Sequence, residues 1–261
     1  MTVLPSTPMS DVRARTRVED STGPVWTVVV AGGSGRRFGA MKQYESLGDR
    51  RVVDHAVETA RLVGDGVVLV LPESDVADEM TRGSTSRDSQ PNVIVVAGGP
   101  TRTASVRNGL AAVPADAGIV LVHDGARPFA SANLYRLVID AVRGGADGAV
   151  PGLPVTDTVK VIEVVESASI GLSGSVVPHI VDTPDRATLL AVQTPQGFAA
   201  DVLRRAYLSE VDASDDSALV ESIGGTVIAV PGEIDNRKIT HPEDLVWARD
   251  LLARRDGTVT S

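Results

Sequence analysis

Arg36, Arg37 and Lys42 stand within seven positions of one another in AGGSGRRFGAMKQY, residues 31–44, directly behind the apolar run VWTVVV. A glycine-rich backbone lets N–H groups approach an anion, and neighbouring cations neutralise what the backbone leaves. Two further loops repeat the theme: AGGPTRTASV (97–106) carries Arg102, and HDGARPF (123–129) carries Asp124 and Arg127. A dinucleotide fingerprint fails, because Gly33 and Gly35 supply G-x-G while Phe38 stands where the third glycine belongs. A Walker A loop fails too, since no Lys-Ser/Thr follows a correctly spaced glycine. Two readings stay open on spacing alone: a nucleoside triphosphate loop of another kind, and a plain glycine-rich turn with solvated arginines.

The elements around these loops alternate. Strand-like apolar runs cover 25–32, 66–72, 92–98, 118–128 and 147–154, and helical periodicity covers 52–62, 76–80, 102–113 and 133–145. Continuous apolar strands separated by helices predict an α/β fold, a doubly wound and mostly parallel sheet covered on both faces. In such a sheet ligands bind beyond the carboxyl ends of the strands, where all three basic loops would lie. After Pro154 the pattern changes to short β-like runs and a Gly/Ser turn, which reads as an extended β-arm over 155–190 that packs on a second subunit. Helices are then expected at 200–211, 215–225 and 241–255, with a late strand at 226–232. Residues 1–24 read as a disordered leader, and 25–261 as a single domain.

Bulk composition narrows the partners. The 261 residues carry a formal net charge of −9, which disfavours nucleic acid and anionic membrane, so an anion site must be a local cluster of cations. There is no cysteine, hence no thiol nucleophile or thiolate metal site. His55, His123, His179 and His241 are far apart, with no helical metal-ligand spacing. No apolar run reaches the roughly 18 residues of a membrane span, and the N-terminus lacks an apolar h-region, so a cytoplasmic location is expected.

Seven motifs occur here in a fixed order: AGGSGRRFGAMKQY, AGGPTRTASVRNGL, HDGARPF, PVTDTVK, TPDRATLLAVQTPQGF, SDDSALVESIGG and IDNRKITHPEDL. In that order they resemble the 2-C-methyl-D-erythritol 4-phosphate cytidylyltransferase family over nearly everything from Val25 to Leu252. The resemblance implies a Rossmann-like nucleotidyltransferase fold, CTP and a polyol phosphate as substrates, Mg²⁺ held mainly by the CTP phosphates, and a homodimer formed through the arm. It implies that Ala31, Gly32 and Gly33 line the nucleotide, that Gly35 shapes the loop, and that Arg37 and Lys42 hold the triphosphate. Gly98, Gly99 and Ser105 would contact the cytidine, with Arg102 supporting their loop and Gly125 near the ribose. Asp124, Arg127, Thr158, Thr194 and Ser214 would face the acceptor, Lys238 would reach the phosphates, and Arg186 would come from the second subunit. Relatives acting on ribitol 5-phosphate share the HDG-x-RPF pattern, which leaves that acceptor as the alternative.

Three departures stand out. Gly32 replaces the family's usual alanine and loosens the loop; Met41 replaces the proline before Lys42 and leaves the lysine less preorganised; Pro100 replaces an acidic residue that contacts cytidine. Met41 and Gly32 keep open a relative that binds nucleotide without turnover. Taken singly, Asp124 could cap a turn, Arg127 could be a surface arginine and Lys238 could flank a helix. Asp215 and Asp216 read as acids favoured at a helix N-terminus rather than as a catalytic pair. The roles of Arg186 and Thr158 rest on the resemblance alone.

Overall fold

The computed structural model describes residues 22–33, 41–85, 92–166, 176–209, 212–213, 215–255 and 257. Most of the expected leader, the glycine-loop residues Gly35 and Arg37, and Ser214 lie outside the described residues. Just before Val25, the Pro24 carbonyl accepts from Gly118 N at 2.9 Å.

The chain runs β1 (Val25–Val30), a 3₁₀ turn (Lys42–Tyr44), β2 (Ser46–Leu47), β3 (Arg50–Arg51), α1 (Val52–Val63), β4 (Gly66–Leu71), α2 (Val76–Thr85) and β5 (Val93–Ala97). It continues α3 (Arg102–Ala112), β6 (Ile119–Asp124), α4 (Ala132–Arg143), β7 (Gly148–Pro154), β8 (Val161–Glu166), β9 (Val176–Asp182), β10 (Leu190–Val192) and β11 (Gln196–Ala199). It ends with α5 (Ala200–Ala206), α6 (Asp216–Ser222), β12 (Val227–Pro231) and α7 (Pro242–Arg255).

The main sheet has the order β10-β7-β11-β6-β1-β4-β5, with β12 paired to β7. β6, β1, β4 and β5 are parallel neighbours, and every residue of β4 and β6 is buried, as continuous apolar runs require. α3 lies close on the sheet because Gly109 has no side chain: a Cβ there would sit 2.5 Å from Val28 Cγ1.

The fourth strand is Ile119–Asp124, and the polar loop expected at its end starts with Gly125 N still bonded to the Val30 carbonyl at 2.9 Å before Arg127 N closes a turn on the Asp124 carbonyl. The helix expected at 76–80 continues to Thr85. QGFA, beyond the arm expected over 155–190 and assigned to no element, is a buried strand inserted antiparallel between β6 and β7. Phe198 there is fully buried against Gly148, where a Cβ would meet its ring at 2.6 Å. The arm itself is an antiparallel hairpin, β8 with β9, forming its own two-stranded sheet and exposing Ile162 and Ile180.

A second, smaller core joins Leu47, Val52, Phe129, Ile239, Leu245, Ala248 and Leu251. It matters for the site because the fully buried Ile239 anchors the loop between β12 and α7 directly beside Lys238.

Candidate active site

The loops leaving β1, β5 and β6 stay hydrogen-bonded past the strand ends. Gly125 N donates to the Val30 carbonyl (2.9 Å), Ala31 N to Val70 (2.8 Å) and Gly98 N to Leu71 (2.7 Å). This brings Gly125, Ala31 and Gly98 side by side on the carboxyl edge, as the doubly wound fold dictates. A Cβ on Gly32 would lie 3.6 Å from Ser105 Oγ, and one on Gly125 would lie 3.0 Å from the Ala31 Cβ. Ser105 acts on its own loop: its buried hydroxyl accepts from Gly99 N (3.0 Å) and donates to the Thr101 carbonyl (2.9 Å). Gly99 is required by space, since a Cβ there would be 2.5 Å from the Ala104 Cβ.

Lys42 opens the 3₁₀ turn after the glycine loop, and Gln43 beside it donates to the Gly33 carbonyl at 3.3 Å. The Lys42 Nζ reaches across the edge to donate to the Ile239 carbonyl at 2.6 Å. Ile239 N in turn donates to the Ala126 carbonyl (2.8 Å), so the late loop is stitched to the HDGARPF turn.

Asp124 sits at the centre. Lys238 Nζ is 2.7 Å from Asp124 Oδ2, Arg127 Nε is 3.7 Å from the same oxygen, and Arg102 Nε is 3.8 Å from Oδ1. Burial pushes the Asp124 carboxyl up, but the charges of Lys238, Arg102 and Arg127 overturn that and hold it far below the usual carboxylate range. Arg127 also donates to the Asn236 carbonyl (2.7 Å), while its buried Nε–H makes no hydrogen bond among the described residues. Burial lowers the Arg127 guanidinium from its ordinary value, and Asp124 opposes that shift.

Arg102 is held from behind by Asp216. This carboxylate is fully buried, 2.6 Å from Arg102 Nη2, and accepts from the Tyr207 hydroxyl. Burial alone would lower Arg102; the carboxylates of Asp216 and Asp124 raise it above its ordinary value. Burial and the Asp216 charge also drive the Tyr207 hydroxyl well upward, so it stays protonated and donates. Among the described residues, the cations Lys42, Lys238, Arg127 and Arg102 gather with the carboxylates Asp124 and Asp216 on this edge, a local cluster of positive side chains in a chain of −9.

His123 is fully buried one residue before Asp124, and burial pushes it down to about 4 despite the Asp124 charge. His123 Nε2 faces the Arg127 carbonyl (3.1 Å) and must donate to it, so Nδ1 of the neutral ring accepts from the Thr194 hydroxyl (3.1 Å), whose oxygen accepts from Asp124 N (3.0 Å). Both ring nitrogens are therefore committed to shaping the loop, and a neutral, saturated imidazole is no general base.

Most of the residues singled out from sequence therefore share one edge: Ala31, Gly32, Gly33, Lys42, Gly98, Gly99, Arg102, Ser105, Asp124, Gly125, Arg127, Thr194 and Lys238. Thr158 and Arg186 are elsewhere, both exposed on the arm, where Arg186 Nη1 donates to the Thr156 carbonyl at 2.7 Å. Asp215 caps α6 by accepting from Ala218 N at 3.1 Å, as an acid at that position should. Asp216 does more than its sequence position suggests, and its partner stands 114 residues earlier, so no local pattern announces it. Asn236 and His123 stand inside IDNRKITHPEDL and HDGARPF, but their partners lie 42 and 71 residues away, so no local pattern announces their roles either. Among the described residues no group of three or more histidine or carboxylate side chains is arranged to hold a metal ion.

Residues 25–254 match the family described as 2-C-methyl-D-erythritol 4-phosphate cytidylyltransferase. The chain is 42% identical over 234 residues to the protein of that name from Streptomyces coelicolor, covering 87% of this chain and 84% of the relative. It is 45% identical over 233 residues to a bifunctional enzyme IspD/IspF from Anaeromyxobacter dehalogenans, covering 86% of this chain but only 56% of that longer protein. Among solved structures, the 4-diphosphocytidyl-2C-methyl-D-erythritol synthase of Anaerococcus prevotii superposes with a TM-score of 0.72 at 30% identity, covering 89% of this chain and 99% of that one.

Proposed function

The chain belongs to the 2-C-methyl-D-erythritol 4-phosphate cytidylyltransferase family, and from that premise we propose how its loops run the reaction. The activity is transfer of CMP from CTP to 2-C-methyl-D-erythritol 4-phosphate, giving 4-diphosphocytidyl-2-C-methyl-D-erythritol and pyrophosphate in isoprenoid precursor synthesis. An acceptor phosphate oxygen forms a bond to the α-phosphorus. The bond from that phosphorus to the β-phosphate oxygen breaks, and the electron pair leaves with pyrophosphate.

The nucleophile needs no base. A phosphomonoester has a second pKa of about 6 and is largely dianionic at neutral pH. The difficulty is bringing two polyanions together: unit charges about 4 Å apart repel by roughly 4 kcal/mol at an effective dielectric of 20. The observation that carries the reading is the convergence of Lys42, Lys238, Arg127 and Arg102 on one sheet edge around Asp124.

In this reading the backbone at Ala31, Gly32, Gly33, Gly98 and Gly99 lines the nucleotide, with Gly125 beside the ribose. Lys42 and Lys238 take the charge that develops on the α-phosphoryl oxygens, assisted by Arg37. Arg127, held beside Asp124 and by the Asn236 carbonyl, takes the acceptor phosphate, and Asp124 accepts from polyol hydroxyls while steering Lys238. Thr194 acts mainly by holding Asp124 and His123, because its proton is already committed. Ser214 keeps the acceptor role that the family resemblance gives it, and Thr158 and Arg186 join from the arm of a second copy in a homodimer. The outward Ile162 and Ile180 of the hairpin support that assembly. Mg²⁺ fits a site with few protein ligands, since it prefers phosphate oxygens and water, and bound to CTP it would neutralise triphosphate charge. A cytoplasmic location belongs to the same proposal, because the donor is a nucleoside triphosphate of the cytoplasm.

The test is pyrophosphate release from CTP with a panel of polyol phosphates. Release is expected with 2-C-methyl-D-erythritol 4-phosphate and far slower with ribitol 5-phosphate; no release with the former, or preference for the latter, overturns the reading.

A further inference from the structure

Three of the cations assigned to phosphate chemistry come from distant parts of the chain, at positions 42, 127 and 238, yet one short segment holds all three. Within residues 236–239, the Asn236 carbonyl accepts from Arg127 Nη1 (2.7 Å) and the Ile239 carbonyl accepts from Lys42 Nζ (2.6 Å). Lys238 itself lies between them, bonded to Asp124 at 2.7 Å. The geometry of this segment therefore sets the spacing of all three charges.

What sets the segment is Asn236. It is fully buried. Its Nδ2 donates to the Thr194 carbonyl at 2.8 Å and to Gln193 Oε1 at 3.2 Å. A carbonyl only accepts, so the amide nitrogen must face Thr194. The Gln193 amide is equally fixed, because its Oε1 accepts from Glu233 N (3.0 Å) and its Nε2 donates to the Glu233 carbonyl (2.8 Å). Asn236 thus ties the late loop to the strand-end residue that also supports Asp124 and His123. Main-chain bonds on both sides, Asn236 N to Glu233 and Ile239 N to Ala126, complete the frame.

We infer that Asn236 is a positioning residue for the reaction: its buried carboxamide fixes the segment whose carbonyls and lysine space Arg127, Lys42 and Lys238 for two phosphates. This rests on the function proposed above. Asn236 touches no reacting atom in this account; it acts through the cations. A misplacement of about 1 Å in a catalytic constellation costs about 100-fold in rate.

The experiment compares wild type with Asn236→Asp, which keeps size and shape but replaces the two-proton donor with an acceptor facing two acceptors. Steady-state kinetics with CTP and 2-C-methyl-D-erythritol 4-phosphate, CTP calorimetry and thermal melts are measured on each. In a folded variant, kcat is expected to fall about 100-fold and the acceptor's KM to rise several-fold. A lower melting temperature with kcat and both KM values within twofold of wild type overturns the inference, because that is a structural role only. Should Asn236→Asp fail to fold, Asn236→Ser, which keeps one donor, is expected to show the same split more weakly; unchanged kinetics in that variant also overturn it. If wild type releases no pyrophosphate with any acceptor, the proposed function fails, and the positioning role is judged by calorimetry alone. There a CTP affinity at least about tenfold weaker in the variant supports it, and equal affinity refutes it.

Discussion

Asp216→Asn isolates the charge that holds Arg102. The asparagine keeps the volume of a fully buried side chain. It can also keep both hydrogen bonds, with its oxygen toward Arg102 and its amide toward Tyr207, whose hydroxyl can rotate to accept. Only the negative charge is lost. At the 2.6 Å Arg102–Asp216 contact, charge centres about 4 Å apart attract by roughly 4 kcal/mol at an effective dielectric of 20. Arg102 is 28% exposed and retains Asp124 at 3.8 Å, so water and the second carboxylate recover about half. The expected net loss is about 2 kcal/mol, a fall in melting temperature of about 4–8 °C for a chain of this size. Arg102 then leans on Asp124 and competes with Lys238, so the acceptor's KM rises. Thermal melts at neutral pH with steady-state kinetics on the same samples check both effects. A melting temperature within about 1 °C of wild type, with an unchanged acceptor KM, would refute the assignment of Asp216 as the anchor of Arg102.

Lys42→Ala removes one preorganised donor from the developing phosphoryl charge and should lower kcat by about 100- to 1,000-fold while the melting temperature stays put; near-normal turnover sinks its role. His123 is protonated more readily unfolded than folded, so stability is lost as pH falls from 6.5 to about 4. The loss amounts to about 3 kcal/mol over that window, and denaturant titrations of His123→Asn should show a correspondingly flatter pH profile.

Much of the site is legible in the sequence itself. The runs VWTVVV, GVVLVL and IVLVHD could only be strands buried on both faces, and the loops behind them had to reach one edge. That placed Ala31, Gly98, Asp124 and Arg127 together from spacing and topology rules alone. QGFA was harder: four residues with two-sided burial carry no alternation, and its antiparallel insertion depends on partners more than 40 residues away on either side. An acid at the start of α6 looks the same whether it meets the helix dipole or a buried arginine, so Asp216 was read by its commoner role.

What the chain determined locally were periodicity, turn chemistry and the glycines that let loops meet, together with an acidic charge balance that forces any anion site into a cluster. Tertiary structure alone decided which charges face each other. Lys42 meets Ile239 across 197 positions, Lys238 meets Asp124 across 114, and Asn236 meets Thr194 across 42. Contacts at such separations are chosen by how the two cores pack, with Ile239 buried in the smaller one, and pairwise electrostatics then act on neighbours that no local pattern specifies.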